Sequence, residues 1–477
     1  ETLWVGDFSK LNKNGTFYAY VRGESPSPSF KISENPLKGM LKAALRTFYY
    51  QRCGDLVRPR YSGRWHHGKC HLKDSFSGTD GNLKMDLSGG WHNGTGYGKF
   101  LSPTAYSIAV LMDAYSSYAE NIKSINLGFR ESRNTIPDCI DIIQRGLNWT
   151  LKCQVPCGAV ISGIDGFERG KQPHQCKAGR IAKTGKGGIY STVTTAVFAA
   201  LHAKATIFFK NSDPEFAKKN LDAAQRAWDY LQKQEKTVPS DAGEFSDFHD
   251  LDESLWATAE LYAATKKRKY ETAFEKIFLS VSFDDFLSVK STDTRQMAMR
   301  TYLKYGENNN LKKKYLKIYQ CFIDNTLEKS SKNAYGISLS ADEYKETNAR
   351  LLEYAIEMSY AKKYFKNTKY MQIAENNMNY ILGQNPFSLC FVSGFGKISV
   401  KHFRNNWFNS DGINAVPPGY IPFGADTLNA SQLSNKPACC YSNTAECGRP
   451  SEISLSNQAR LVYLILSLLE SSEIEEK

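Results

Sequence analysis

Asp213-Pro-Glu-Phe-Ala-Lys-Lys-Asn-Leu-Asp-Ala-Ala-Gln-Arg-Ala-Trp-Asp-Tyr-Leu231 carries every local mark of an amphipathic helix. Asp213 is an N-cap residue and Pro214 suits the first helical position, where no N–H is required. Apolar residues then recur at Ala217, Leu221, Ala224, Trp228 and Leu231, the 4-3-4-3 spacing of one helical face. The same period predicts helices near 37–52, 103–120, 137–151, 190–209, 251–265, 270–280, 293–304, 310–326, 347–364, 366–382 and 453–470. A chain built this way is mainly α. No short repeat is visible, which argues against a regular solenoid. Long loops between the helices hold most of the Gly, Cys, His and Trp, and long ordered loops on a helical scaffold usually carry function.

The first 35 residues read differently. Leu3-Trp-Val-Gly6 and Thr16-Phe-Tyr-Ala-Tyr-Val21 look like strands around an Asn12-Lys-Asn-Gly15 turn, and Ser25-Pro-Ser-Pro28 interrupts before Phe30-Lys-Ile32. So few strands form no stable sandwich alone. They read as an edge on the main domain or as the end of a β domain lying upstream. The expected division is residues 1–35 and residues 36–477.

The 477 residues carry a net charge of +12, spread along the chain. The densest patches, Lys266-Lys267-Arg268-Lys269 and Lys312-Lys313-Lys314, fall in helical patterns and read as solvated faces. No nucleic-acid motif accompanies them. The longest apolar run, 461–469, is too short to span a bilayer, so no membrane span is expected. No leader pattern is visible at the N-terminus, which reads as a mature or truncated form. The eleven cysteines cluster at Cys153/Cys157/Cys176 and Cys439/Cys440/Cys447, a distribution that suits short disulfide loops in an oxidising compartment. Asn14, Asn93, Asn148 and Asn429 begin glycosylation sequons. These features together predict a secreted or extracellular protein.

Four stretches then carry a resemblance. Asp86-Leu-Ser-Gly-Gly-Trp-His-Asn-Gly-Thr-Gly-Tyr-Gly-Lys-Phe100 resembles the D-x-S-G-G-W-x-D-A-G-D-Y-G-K-Y loop of family 9 glycoside hydrolases. Asp252-Glu-Ser-Leu-Trp-Ala-Thr-Ala-Glu-Leu-Tyr262 resembles their D-E-x-x-W-A-A-x-E-L-Y helix. Tyr380-Ile-Leu-Gly-Gln-Asn-Pro386, continuing through Phe391-Val-Ser-Gly-Phe-Gly396 to His402-Phe-Arg404, is similar to Y-I-L-G-x-N-P…F-V-T-G-x-G…H-x-R. Glu452-Ile-Ser-Leu-Ser-Asn-Gln-Ala459 takes the place of E-V-A-I-x-W-N-A. The resemblance covers nearly the whole chain. It implies an (α/α)6 barrel, preceded in one branch of the family by an immunoglobulin-like domain, of which residues 1–35 would be the last strands.

The family's activity is inverting hydrolysis of β-1,4-glucans. Inversion needs one carboxylic acid to protonate the leaving oxygen and one carboxylate to deprotonate water, about 6.5–9.5 Å apart. The resemblance makes Glu452 the general-acid position. It aligns Asn93 and Gly96 with the two aspartates of the water-activating pair, and neither residue can accept a proton at useful pH. Asn443 stands where the family has the Asp of its Y-x-D motif, and Gln458 stands where it has an Asn. His402 and Arg404 match a substrate-contacting pair, although Lys401 replaces the usual Pro. Trp91 and Tyr97 are candidate sugar-stacking residues, with loop core as the competing assignment. The expected function is glycan binding, or a structural role in an extracellular assembly, with hydrolysis lost. The alternatives are an active endo-β-1,4-glucanase whose base has moved to Asp74, Asp80 or Asp86, and a protein-interaction module without sugar affinity.

The same branch of the family implies a structural Zn²⁺ on Cys53, Cys70, His71 and His92, a ligand set suited to tetrahedral zinc. A Cys53–Cys70 disulfide is the competing reading. For a family-type Ca²⁺, Asp252 matches one ligand, while Ser191-Thr-Val-Thr-Thr195 lacks the acidic partners.

Overall fold

The computed structural model describes residues 6–475 apart from 9, 12, 79–82, 167, 169, 186–187, 241–245, 288–292, 366 and 368. Its helices are α1 Lys38–Tyr50, α2 Pro59–Ser62, α3 Leu101–Ser117, α4 Ala119–Ile122, α5 Asp138–Lys152, α6 Thr192–Phe209, α7 Pro214–Leu231 and α8 Leu251–Thr265. They continue as α9 Arg268–Ser280, α10 Phe283–Phe286, α11 Arg295–Tyr305, α12 Asn309–Lys332, α13 Thr347–Ala361, α14 Lys369–Leu382 and α15 Leu455–Glu475. All twelve helices expected from the periodicity are present. The start of α7 has the predicted chemistry: Asp213 Oδ1 accepts from Phe216 N at 3.0 Å, and Pro214 opens the helix.

Contacts between helices sort them into two layers. Among the described residues α3, α6, α8, α11, α13 and α15 follow one another around an inner ring. The α11–α13 step is bridged by an Arg300–Glu357 ion pair. Outside them lie α5 on α3, α7 on α6, α9 on α8, α12 on α11 and α13, α14 on α13 and α15, and α1 on α15. This is an (α/α)6 barrel. The sequence difference between layers follows from burial. Outer α7 buries one face, whereas inner α6 buries nearly every side chain from Thr192 to Phe209. By length and composition α6 is apolar enough to cross a membrane, yet 83% of that stretch is buried inside the barrel.

The β structure is slight. β1 (Gly15–Phe17) pairs antiparallel with β2 (Phe30–Ile32), Gly15 facing Ile32. Among the described residues the second strand of the expected hairpin thus pairs with the Phe30–Ile32 segment. The strand stops at Phe17, and Tyr18, Tyr20 and Val21 are exposed outside any ladder. The other expected strand, Leu3–Gly6, falls almost wholly outside the described residues. β3 (Ser75–Ser77) with β4 (Lys84–Asp86), and β5 (Lys99–Phe100) with β6 (Gly163–Ile164), pin the loops at the mouth of the barrel.

The expected disulfide clusters are also corrected: all eleven cysteines are free thiols. Cys153 is wholly buried at the end of α5, its Sγ toward Trp149 O at 3.6 Å. Cys440 turns its Sγ to Ser434 O at 3.4 Å, and Cys447 Sγ accepts from Ser442 N at 3.1 Å. These sulfurs terminate local backbone turns instead of joining one another.

Candidate functional site

The 86–100 loop is shaped by glycines and by one inserted tryptophan. Gly90 has φ +77, and a Cβ there would meet the Trp149 ring at 2.7 Å, so the loop backbone lies directly on α5. That approach drives Trp91 into the core, where it packs edge-on to Phe48 at 5.4 Å and is 1% exposed. Tyr97 is equally buried, its hydroxyl donating to Lys171 O at 2.5 Å. Neither ring has a face left for a sugar, so their assignment as stacking residues is corrected to loop core.

Loop, rim and helix start meet around Asn93. Its Oδ1 accepts from Leu455 N at 3.0 Å, capping the first turn of α15. Its Nδ2 is buried without a partner. Asn405 Nδ2 donates to Gly94 O at 3.1 Å, Asn406 N to Thr95 O at 2.8 Å, and Arg404 N to Ser451 O at 3.1 Å. The 93–97, 402–407 and 449–455 segments therefore interlock at one end of the barrel, bringing Asn93, Gly96, His402, Arg404 and Glu452 onto the same rim.

Glu452 is 2% exposed, and both its oxygens are taken. Oε1 accepts from Arg404 Nη1 at 2.9 Å and Oε2 from Arg449 Nη1 at 3.2 Å. Arg449 is fixed in turn by Glu346, at 3.0 Å from Nε, and lies 4.1 Å over the Phe423 ring. Arg404 keeps 43% of its side chain exposed, and His402 is exposed beside it. Asn443 Oδ1 accepts from Lys401 N at 3.0 Å and so braces that segment's backbone. Gln458 is buried between Gly419 O and Ile421 N. Arg449 was not singled out from the sequence, although an arginine three residues before a candidate acid is a readable signal.

Asp74 and Asp86, two of the carboxylates considered as substitute bases, are engaged elsewhere. Asp74 is fully buried in a charge cluster, its oxygens accepting from Arg180 Nε at 2.9 Å and Nη2 at 2.6 Å, with Lys99 Nζ at 2.8 Å. Asp86 pairs at the surface with Lys152 at 2.7 Å. Asp80 is outside the described residues. Asp74 and Asp86 serve the loop's shape. Of the sequons, Asn14, Asn148 and Asn429 are exposed, but Asn93 is 3% exposed and hydrogen-bonded inward. The folded chain has no room for a glycan on it, which corrects that assignment.

Below the loop, ligand atoms of Cys53, Cys70, His71 and His92 all lie within 4.8 Å of one another, every residue buried. Cys70 Sγ is 3.7 Å from His92 Nε2, which is 3.3 Å from His71 Nδ1. Burial would push the Cys53 thiol up, but a hydrogen bond with Cys70 and the nearby Lys99 and His92 hold it well below the ordinary thiol value. Cys70 is pushed up by the same bond and by burial, so one thiol carries the proton for the pair. Burial pushes His92 down to about 4, leaving a neutral imidazole. An incipient thiolate beside a neutral ring is the donor chemistry zinc takes. Asp252 instead accepts from Thr294 N at 2.9 Å, and among the described residues it joins no group of three potential ligands.

The sequence model described as Glycosyl hydrolase family 9 matches residues 38–465. The xyloglucan-specific endo-beta-1,4-glucanase BoGH9A of Bacteroides ovatus is 27% identical over 505 residues, spanning 97% of this chain and 83% of that protein. Among solved structures, a single mutant of the thermostable endoglucanase from Alicyclobacillus acidocaldarius superposes with a TM-score of 0.90 at 24% identity, covering 98% of this chain and 90% of that one. A Zn-binding triple mutant of the family 9 endoglucanase J30 superposes with a TM-score of 0.87 at 24% identity, covering 97% and 90%.

Proposed function

The chain belongs to glycosyl hydrolase family 9, and from that membership we propose that it binds a β-1,4-linked glucan at the His402–Arg404 rim without turning it over at a hydrolase's rate. The observation that carries this is Asn93. At the water-activating position stands an amide that cannot take a proton, and its Oδ1 is committed to capping α15. Gly96, at the other base position, offers no functional group. Glu452 supports the same reading, since a general acid must offer a proton to the leaving oxygen. Here both oxygens accept from guanidinium groups and almost none of the residue is exposed. Arg404 and His402 remain accessible to a ligand's hydroxyls.

The remaining parts of the proposal are architectural. A structural Zn²⁺ on Cys53, Cys70, His71 and His92 ties the Asn93 loop to the end of α1. Residues 1–35 are the closing strands of an immunoglobulin-like module, whose exposed Tyr18, Tyr20 and Val21 would face its other strands. The protein works outside the cell, where β-glucans are met. A role as a protein-interaction module alone leaves the match of His402 and Arg404 to the family's substrate-contacting pair without a purpose.

Binding is the direct test. Titration of cellohexaose and of xyloglucan oligosaccharides into the native chain should give saturable heat. Arg404→Ala should weaken the affinity by roughly tenfold or more, the scale on which lost charged hydrogen bonds act. No saturable binding to any β-1,4-glucan would remove the sugar from the account.

A further inference from the structure

His71 faces more than one set of ligands. One of its nitrogens also lies within 4.8 Å of a Glu168 carboxylate oxygen and of Cys176 Sγ, which lie within that distance of each other. Nδ1 is the atom turned to His92, at 3.3 Å. Nε2 is buried with no hydrogen-bond partner, and so is Glu168 Oε2. Two orphaned polar atoms beside a buried thiol are costly unless something binds them.

The local backbone holds these groups in place. Cys176 follows the short 173–175 turn, which a reciprocal Gln172–Gln175 capping pair closes, and its Sγ is turned to Gln172 O at 3.5 Å. His71 N donates to Cys176 O at 3.3 Å, joining the two ligand loops directly. His71 itself sits at φ +48, an uncommon conformation for a bulky residue and one that persists where surroundings over-determine it. Tyr97, with its ring 5.5 Å from that of His71, closes the space from the side of the Asn93 loop.

We propose that His71, Glu168 and Cys176 form a second metal site for Zn²⁺, joined to the first through the two nitrogens of the His71 ring. An imidazole nitrogen, a thiolate and a carboxylate are a borderline-soft donor set, and three protein ligands leave a fourth position open. The exchange balances. One divalent ion enters as two protons leave, from the Cys176 thiol and from the His71 ring, so the buried cluster's net charge is unchanged. Carrying an ion this way avoids adding uncompensated charge to a dry interior. The second site builds on the first ion, at Cys53, Cys70, His71 and His92.

Zinc content separates the two claims. The full chain is saturated with Zn²⁺, freed of loosely held ion by gel filtration, and assayed for zinc per chain. The expected result is two ions in the native protein, one in Cys176→Ser, and lowered occupancy of the second in Glu168→Gln. Co²⁺ substitution should show thiolate-to-cobalt absorption that loses one of its three sulfur contributions in Cys176→Ser. One ion in the native chain overturns the second site and reduces Glu168 to a carboxylate that orients His71. No ion in the native chain overturns the first site along with it. Two ions retained in a folded Cys176→Ser would place the second one elsewhere, and the native count together with Glu168→Gln decides the matter if Cys176→Ser does not fold.

Discussion

Replacing Asn93 and Gly96 together by Asp should raise release of reducing ends from cello-oligosaccharides by roughly 10²-fold or more. General-base assistance is typically worth about 10²–10⁴-fold, and the double replacement would supply carboxylates at both proposed base positions. The fold should tolerate it. At position 93 the new carboxylate faces Leu455 N at the start of α15, where a helix N-terminus favours negative charge. The change also removes the buried Nδ2 that now lacks a partner. At position 96 the glycine is partly exposed and its backbone is outside the left-handed region, so a side chain enters without backbone strain. A folded double variant that binds glucan but shows no gain would mean that the Arg404–Glu452–Arg449 arrangement disables the acid as well. Adding Arg449→Gln to that variant would then be the informative step.

Removal of zinc should produce the largest loss of stability. An ion bound only by the folded chain stabilises it by about 4 kcal/mol when present at a thousand times its dissociation constant. Here the four ligands join the end of α1, the 70–71 loop and the Asn93 loop, so the loss should be cooperative. Chelation under reducing conditions, or Cys53→Ser, is expected to lower the thermal midpoint substantially, with recovery on adding Zn²⁺ only in the native sequence. Differential scanning calorimetry reads this directly. A protein indifferent to chelator but destabilised by reductant would instead have the Cys53–Cys70 disulfide.

The barrel was legible because an amphipathic helix writes its period into the chain over four or five turns. Residues Asp213–Leu231 showed the cap, the first-turn proline and the buried stripe before any packing was known. The short strands were not legible, since two or three residues such as Lys99–Phe100 carry no measurable alternation. Their pairing with Gly163–Ile164 is set by where the loops meet. Motif order grouped Asn93, Gly96, His402, Arg404 and Glu452 as candidates, and the interlocking of the 93–97, 402–407 and 449–455 segments brings the five together in space. Burial was the illegible part. Trp91 and Tyr97 belong to a loop without periodicity, and only its approach to Trp149 and Lys171 decides that both rings turn inward. Clustered cysteines looked like disulfides because spacing says nothing of the direction in which each Sγ points. Cys176 reads as a member of a disulfide cluster, and Glu168 carries no signal, for a related reason: about a hundred residues separate them from His71, and no motif links them.

The most direct measurement is hydrolysis by the unmodified, zinc-loaded chain of a soluble cellulose derivative and of xyloglucan, followed by reducing-end release over a range of pH. Release should be indistinguishable from that of the Glu452→Gln variant at every pH, from a protein that still binds the same glucans. Robust turnover abolished by Glu452→Gln would contradict it, showing that another carboxylate activates water opposite Glu452 and that the chain is a working endoglucanase.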